Sequence, residues 1–160
     1  MGVRPWTPTV ALVAHGIHDR GGMERACAEL ISHLHDRVRF VVVSCELTSL
    51  RAGQVDRWVR VRAPMRPIAL KLPWFYAQAG AIVAKLPVNL VHTIGAIVPN
   101  RADLATVHFC QTGYVAVTGS LAPSDAPVLR RVNTSLCKVQ AILAERWTYR
   151  PGRIRQLAAV

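Results

Sequence analysis

The chain has 160 residues, 51% of them hydrophobic, and 20 Lys and Arg against 9 Asp and Glu leave a formal net charge of +11. Its length makes a single domain able to bury roughly two-thirds of its unfolded surface, and its positive mean hydropathy suits strands covered on both faces. Four scattered cysteines with no Cys-x-x-Cys pair argue against a zinc site or a disulfide framework and fit a reduced, soluble α/β protein.

In chain order, Val10-Ala11-Leu12-Val13-Ala14 is an uninterrupted apolar run, as a central parallel strand carries. A helix is expected from about Gly22 to His35, because Met23, Ala26, Cys27, Leu30, Ile31 and Leu34 recur on one face. Between them lies His15-Gly16-Ile17-His18-Asp19-Arg20-Gly21-Gly22, a loop that turns on two adjacent glycines. A strand, a glycine turn and a helix N-terminus present free N–H groups and a positive dipole end, which suits a phosphate. The spacing is neither Gly-x-Gly-x-x-Gly nor a Walker loop.

Arg39 to Ser44 reads as a second buried strand, and Trp58 to Val61 as a shorter strand nearer the sheet edge. Pro73 to Leu86 reads as an apolar helix with proline in its first turn and Pro87 at its end. It is too short for a membrane span and is interrupted by Gln78 and Lys85, with Lys71 just before it. Leu90-Val91-His92 and Leu104 to His108 supply two strands that each end in a histidine. Ser124 or Asp125 is expected to cap a long helix with the apolar stripe Leu129, Val132, Leu136, Val139 and Leu143. That helix runs through Trp147 to a stop at Pro151-Gly152, and Arg153 to Val160 opens a sixth strand. Asn133-Thr134-Ser135 matches a glycosylation sequon but falls inside the helix, with no secretory signal upstream.

Such β-α-β alternation predicts a doubly wound parallel sheet, a three-layer α/β/α Rossmann-like domain. Ligands of such sheets bind beyond the carboxyl ends of the strands. His15, His92 and His108 are all expected at that edge.

The segment Gly21-Gly22-Met23-Glu24-Arg25-(x)4-Leu30 resembles the N-terminal domain of family-4 glycosyltransferases, retaining enzymes of the GT-B fold. Ala105-Thr106-Val107-His108, Leu90-Val91-His92 and Trp147-Thr148-Tyr149-Arg150-Pro151-Gly152-Arg153-Ile154 resemble later segments of that domain, in the family's order. The resemblance implies transfer of a sugar from a nucleotide-diphosphate-sugar donor to a glycan or lipid-linked acceptor, with no cofactor and no metal. It implies His108 as the catalytic residue beside the transferred sugar. It also implies Gly21, Gly22, His15, Glu24, His92 and Gln111 as substrate or phosphate contacts. Phe109-Cys110, directly after His108, departs from the family pattern.

A GT-B enzyme needs two such domains facing a cleft. Residues 1–160 are therefore expected to be the acceptor-side half, ending before a donor-binding domain and inactive alone.

Between Arg51 and Lys71 lie six basic residues and one acid, Asp56, followed by Pro73-Trp74-Phe75-Tyr76. This segment reads either as an edge for an anionic membrane surface or as a solvated edge whose aromatics enter the core. With no signal peptide, the expected location is cytoplasmic, with membrane association through residues 51–76. No helix carries a basic face, so nucleic acid is not an expected partner. Two alternatives stand: a metal-dependent hydrolase using His15, His18 and Asp19, and a non-enzymatic nucleotide-binding module.

Overall fold

The computed structural model describes residues 7–64, 66–118 and 127–160. Six strands form one sheet: β1 (Thr9–Val13), β3 (Arg39–Ser44), β5 (Arg57–Arg60), β6 (Leu90–Ile94), β7 (Ala102–Val107) and β8 (Ile154–Ala159). Their order is β5-β3-β1-β6-β7-β8, and every neighbouring pair is parallel. β2 (Gly16–Ile17) and β4 (Glu46–Leu47), which follow β1 and β3, pair as a separate two-stranded ladder. The order grows outward in both directions from β1, so the sheet is doubly wound, with its switch point between β1 and β6.

Period-two alternation assigns the two faces. Val10, Leu12 and Ala14 pack with Cys27, Ala28 and Ile31 of α1 (Gly22–Leu34). Val13 and Val43 pack with Phe75, Ala79 and Val83 of α2 (Ile68–Val83) on the other face. Three layers result. β5 lies at the sheet edge, as the alternating Trp58 to Val61 pattern predicts.

α2 starts five residues before the expected Pro73, which therefore sits inside the helix. A proline there removes the N–H that would meet the carbonyl of Ala69. The structure provides a substitute from α4 (Val128–Thr148): Gln140 Nε2 donates to that carbonyl at 2.9 Å. The N–H of Ala69 in turn reaches Asn133 Oδ1 at 3.3 Å. Further along α2, a Cβ on Gly80 would stand 2.5 Å from Cδ of Pro99, so only glycine lets the helix lie this close to that loop.

α4 reverses the sequence expectation for its orientation. The stripe Leu129, Val132, Leu136, Val139 and Leu143 is exposed, with Leu129 82% accessible. The covered side carries Asn133, Gln140, Ala141, Ala144, Glu145 and Thr148. The expected caps Ser124 and Asp125 lie outside the described residues; Pro127 precedes the first helical residue. A further helix, α3 (Gln111–Thr118), carries no buried residue and has no periodic signal in the sequence. No helix among the described residues is long and apolar enough to cross a membrane.

Candidate functional site

A cavity of about 820 Å³ opens beyond the carboxyl ends of β1, β6 and β7, between α2 and α4. His15, just after β1, lines it, and its ring lies against Phe75 with centroids 4.3 Å apart. Burial, followed by the positive charge of Lys71, lowers the His15 pKa to about 4. The imidazole is therefore neutral at neutral pH. His108, one residue beyond β7, and Gln111, the first residue of α3, are half-buried in the same wall. Gly95, Ala96 and Ile97, which follow β6, form the floor between them.

Glu145 is the residue that sequence reasoning missed. It is 7% exposed, and its carboxylate accepts from the N–H of Gln111 at 2.6 Å and of Thr112 at 2.8 Å. The Thr112 hydroxyl donates to the same carboxylate at 2.6 Å. The first N–H groups of a helix have no partner within it, and here an acid from α4 caps α3 across the cavity wall. That cap fixes the segment His108–Gln111. Burial, then the charges of Glu145 and Cys110, push the neighbouring Tyr149 hydroxyl up to about 12. The available signal was Glu145 as the single acid in a helix with several Arg and Lys.

The glycine turn divides its work. Gly21 has φ of 90°, a conformation that side chains resist, and it turns the chain. The Glu24 carboxylate folds back over it, with Oε2 2.5 Å from where a Gly21 Cβ would stand. A Cβ on Gly22 would meet nothing within 4 Å, so the first residue of α1 faces open space. Met23, the next residue, reaches the cavity wall and places the α1 N-terminus beside it.

His92 is placed differently from the expectation. β6 does not end there: Thr93 and Ile94 continue the ladder opposite Ala105 and Thr106. His92 is 8% exposed within the sheet, Nε2 lies 2.8 Å from Thr106 Oγ1, and it is not part of the cavity wall. Burial lowers its pKa to about 4. His15, His108 and Gln111 are thus brought together, Gly21, Gly22 and Glu24 lie at the adjoining helix end, and His92 stays behind them in the sheet.

Among the described residues no three His, Cys, Asp or Glu side chains converge as a metal site, so the set His15, His18 and Asp19 gains no geometric support. The aromatic segment splits between its two readings. Phe75 is fully buried and Tyr76 lines the cavity, whereas Trp74 remains half exposed, its Nε1 donating to the Arg62 carbonyl at 2.9 Å.

This architecture has a solved counterpart. The chain is similar to the crystal structure of WaaG, a glycosyltransferase involved in lipopolysaccharide biosynthesis, with a TM-score of 0.66 at 15% sequence identity. The two share a fold. The alignment takes in 92% of this chain and 37% of that one, so the chain spans little more than a third of that structure's length. No family model and no curated protein sequence matches the chain.

Proposed function

We propose that this chain is the acceptor-side domain of a retaining, family-4-like glycosyltransferase that uses a nucleotide-diphosphate-sugar donor. The observation that carries the reading is the convergence of His15, His108, Gln111 and the open α1 N-terminus around one cavity at the switch-point edge of the sheet. The shared fold with a glycosyltransferase supports it.

In this reading oxocarbenium-like charge develops on the transferred sugar as the diphosphate leaves. The leaving anion meets the N–H groups and positive dipole end at Gly22, where open space admits it. Glu24 is already an acid at that helix end, so it suits a sugar hydroxyl as its partner and not a second anion. His108 hydrogen-bonds a hydroxyl of the transferred sugar, and neutral His15 offers a hydrogen bond without adding charge. Glu145 acts through the α3 cap and is a positioning residue.

The test is transfer of labelled sugar from a panel of nucleoside-diphosphate sugars by the full-length protein of which this domain would be part. His108→Ala should lower turnover by on the order of 100-fold with the melting temperature nearly unchanged. Near-native turnover in that variant, or unfolding, refutes the role of His108, and absence of transfer from every donor refutes the reading. Gly22→Val, which clashes with nothing in the protein, should weaken nucleoside-diphosphate binding by on the order of 100-fold in titration calorimetry. Unchanged affinity in the folded variant would place the phosphate elsewhere.

A further inference from the structure

A second cavity, of about 460 Å³, shares no wall residue with the strand-end site. Its wall is the connection from β4 to β5 and the start of β5, at the open edge of the sheet. That connection is held in place. Leu47, Leu50 and Val55 pack on the core cluster between α1 and the sheet. The N–H groups of Thr48 and Asp56 donate to the carbonyls of Ile17 and Phe40, each at 2.9 Å. Residues 51–54 form a β-turn closed from both sides: the Gln54 N–H donates to the Arg51 carbonyl at 3.3 Å, and the Arg51 N–H to Gln54 Oε1 at 2.8 Å. Gly53 holds φ of 87°, as a type II turn requires at its third position. Just upstream, Ser49 holds φ of 64° despite its side chain, the kind of backbone strain that collects at ligand sites.

What the wall presents is positive charge. Arg51 and Arg57 line the cavity, and neither pairs with a carboxylate among the described residues. The acid of the wall, Asp56, is already engaged: its Oδ1 accepts from Arg39 Nε at 3.1 Å and Nη2 at 2.9 Å. The turn adds backbone donors. The N–H groups of Ala52 and Gly53 meet no acceptor among the described residues, and a Cβ on Gly53 would meet nothing within 4 Å. Two guanidinium forks beside adjacent free N–H groups match the oxygens and the double charge of a phosphate. From this arrangement we infer that the cleft binds a phosphate group, carried by a soluble phosphate ester or by a lipid headgroup. The site is separate from the α1 N-terminus and stands whether or not the sugar-transfer reading does.

The test follows the N–H signals of this chain by two-dimensional NMR as inorganic phosphate or glucose 6-phosphate is added at fixed ionic strength. The signals of Ala52, Gly53 and the indole of Trp58, which also lines the cleft, should shift and saturate, and glucose should move none of them. Arg51→Gln and Arg57→Gln, at exposed positions where the fold does not depend on them, should each weaken the binding by on the order of tenfold. Arg51→Lys, which keeps the charge and loses the fork, should fall between. Gly22→Val should leave the Gly53 response unchanged. Shifts confined to Gly22 and its neighbours, or a Gly53 response equal in Arg51→Gln and the unaltered chain, overturn the inference.

Sedimentation with phosphatidylglycerol vesicles separates the two sources. Vesicle binding that glucose 6-phosphate displaces and Arg51→Gln weakens upholds the cleft with a headgroup as its ligand. Saturable glucose 6-phosphate binding without vesicle binding upholds it with a soluble ester. Vesicle binding that survives Arg51→Gln, while glucose 6-phosphate leaves Gly53 unmoved, means adsorption of the basic surface and overturns the cleft.

Discussion

α1 and α4 show the same apolar periodicity in the sequence and meet opposite fates in the fold. In α1 the stripe goes inward except at Ala26, which is exposed: Cys27 and Ile31 are buried against β1 and β3 together with Ala28, which the stripe did not include, and Ile31 is wholly inaccessible. In α4 the leucines and valines face out, while Gln140, Asn133 and Glu145 face the rest of the domain. The difference lies in what each helix is packed against. α1 meets a sheet whose backbone groups are already paired, so hydrocarbon is what fits. α4 meets the carbonyl freed by Pro73 and the open N-terminus of α3, both of which need polar partners. A buried backbone group without a partner costs about 1–3 kcal/mol, comparable to covering one leucine side chain, which contributes roughly 1.5–3 kcal/mol. Each such group therefore competes on equal terms with a side chain of the stripe.

Mutations should break this comparison unequally. The largest effect belongs to the packed half: Ile31→Ala should cost about 2–5 kcal/mol in urea unfolding. A cost below 1 kcal/mol would mean that the α1 face is far looser than its burial implies.

Acid should act on the same half. His15 and His92 are held neutral, with pKa lowered to about 4, against an ordinary value of 6.5. The unfolded chain therefore binds more protons between those values. The stability these histidines contribute is complete above about pH 6.5 and is lost as the pH falls toward 4. The loss should be on the order of 3 kcal/mol for each histidine, and His92→Gln should remove about half of the total when unfolding free energy is measured at pH 7, 5.5 and 4. An unchanged profile in that variant would show that His92 charges without cost.

In the other half, Glu145→Ala should cost about 2 kcal/mol, by leaving the N–H groups of Gln111 and Thr112 without an acceptor. Glu145→Gln, which keeps an amide oxygen, should recover part of it. Hydrogen exchange should show the loss concentrated in α3; a uniform loss of protection would make Glu145 an ordinary core residue. Smallest of all, Val139→Ser on the exposed stripe of α4 should shift stability by no more than about 0.5 kcal/mol in the isolated chain. A larger loss would mean that the stripe is covered in solution, and the contrast with α1 would vanish.

Much of the frame was legible because its causes are local. The unbroken runs Val10–Ala14 and Phe40–Val43 have one stable use, as strands buried on both faces, and the α1 spacing has one helical face. Gly152, with φ of 80°, marks the end of the last helix as the Pro151-Gly152 pair predicts. Proximity of His15 and His108 also followed from the sheet rule, since strand ends of one parallel sheet share an edge. The placement of His92 did not, because its strand continues through Thr93 and Ile94, and nothing in Leu90-Val91-His92 reveals where the pairing partner stops.

Periodicity, β-branching and glycine turns were sufficient for the parallel sheet, the three layers and the edge at which the candidate site lies. Tertiary contacts alone decided that Pro73 sits within a helix, that α4 shows its leucines to solvent and that Glu145 holds the histidine-bearing segment. The physical reason is the reach of hydrogen-bond satisfaction. The Ala69 carbonyl finds its donor 71 residues away and the α3 N-terminus finds its acceptor 34 residues away, distances at which a sequence pattern carries no record of the partner.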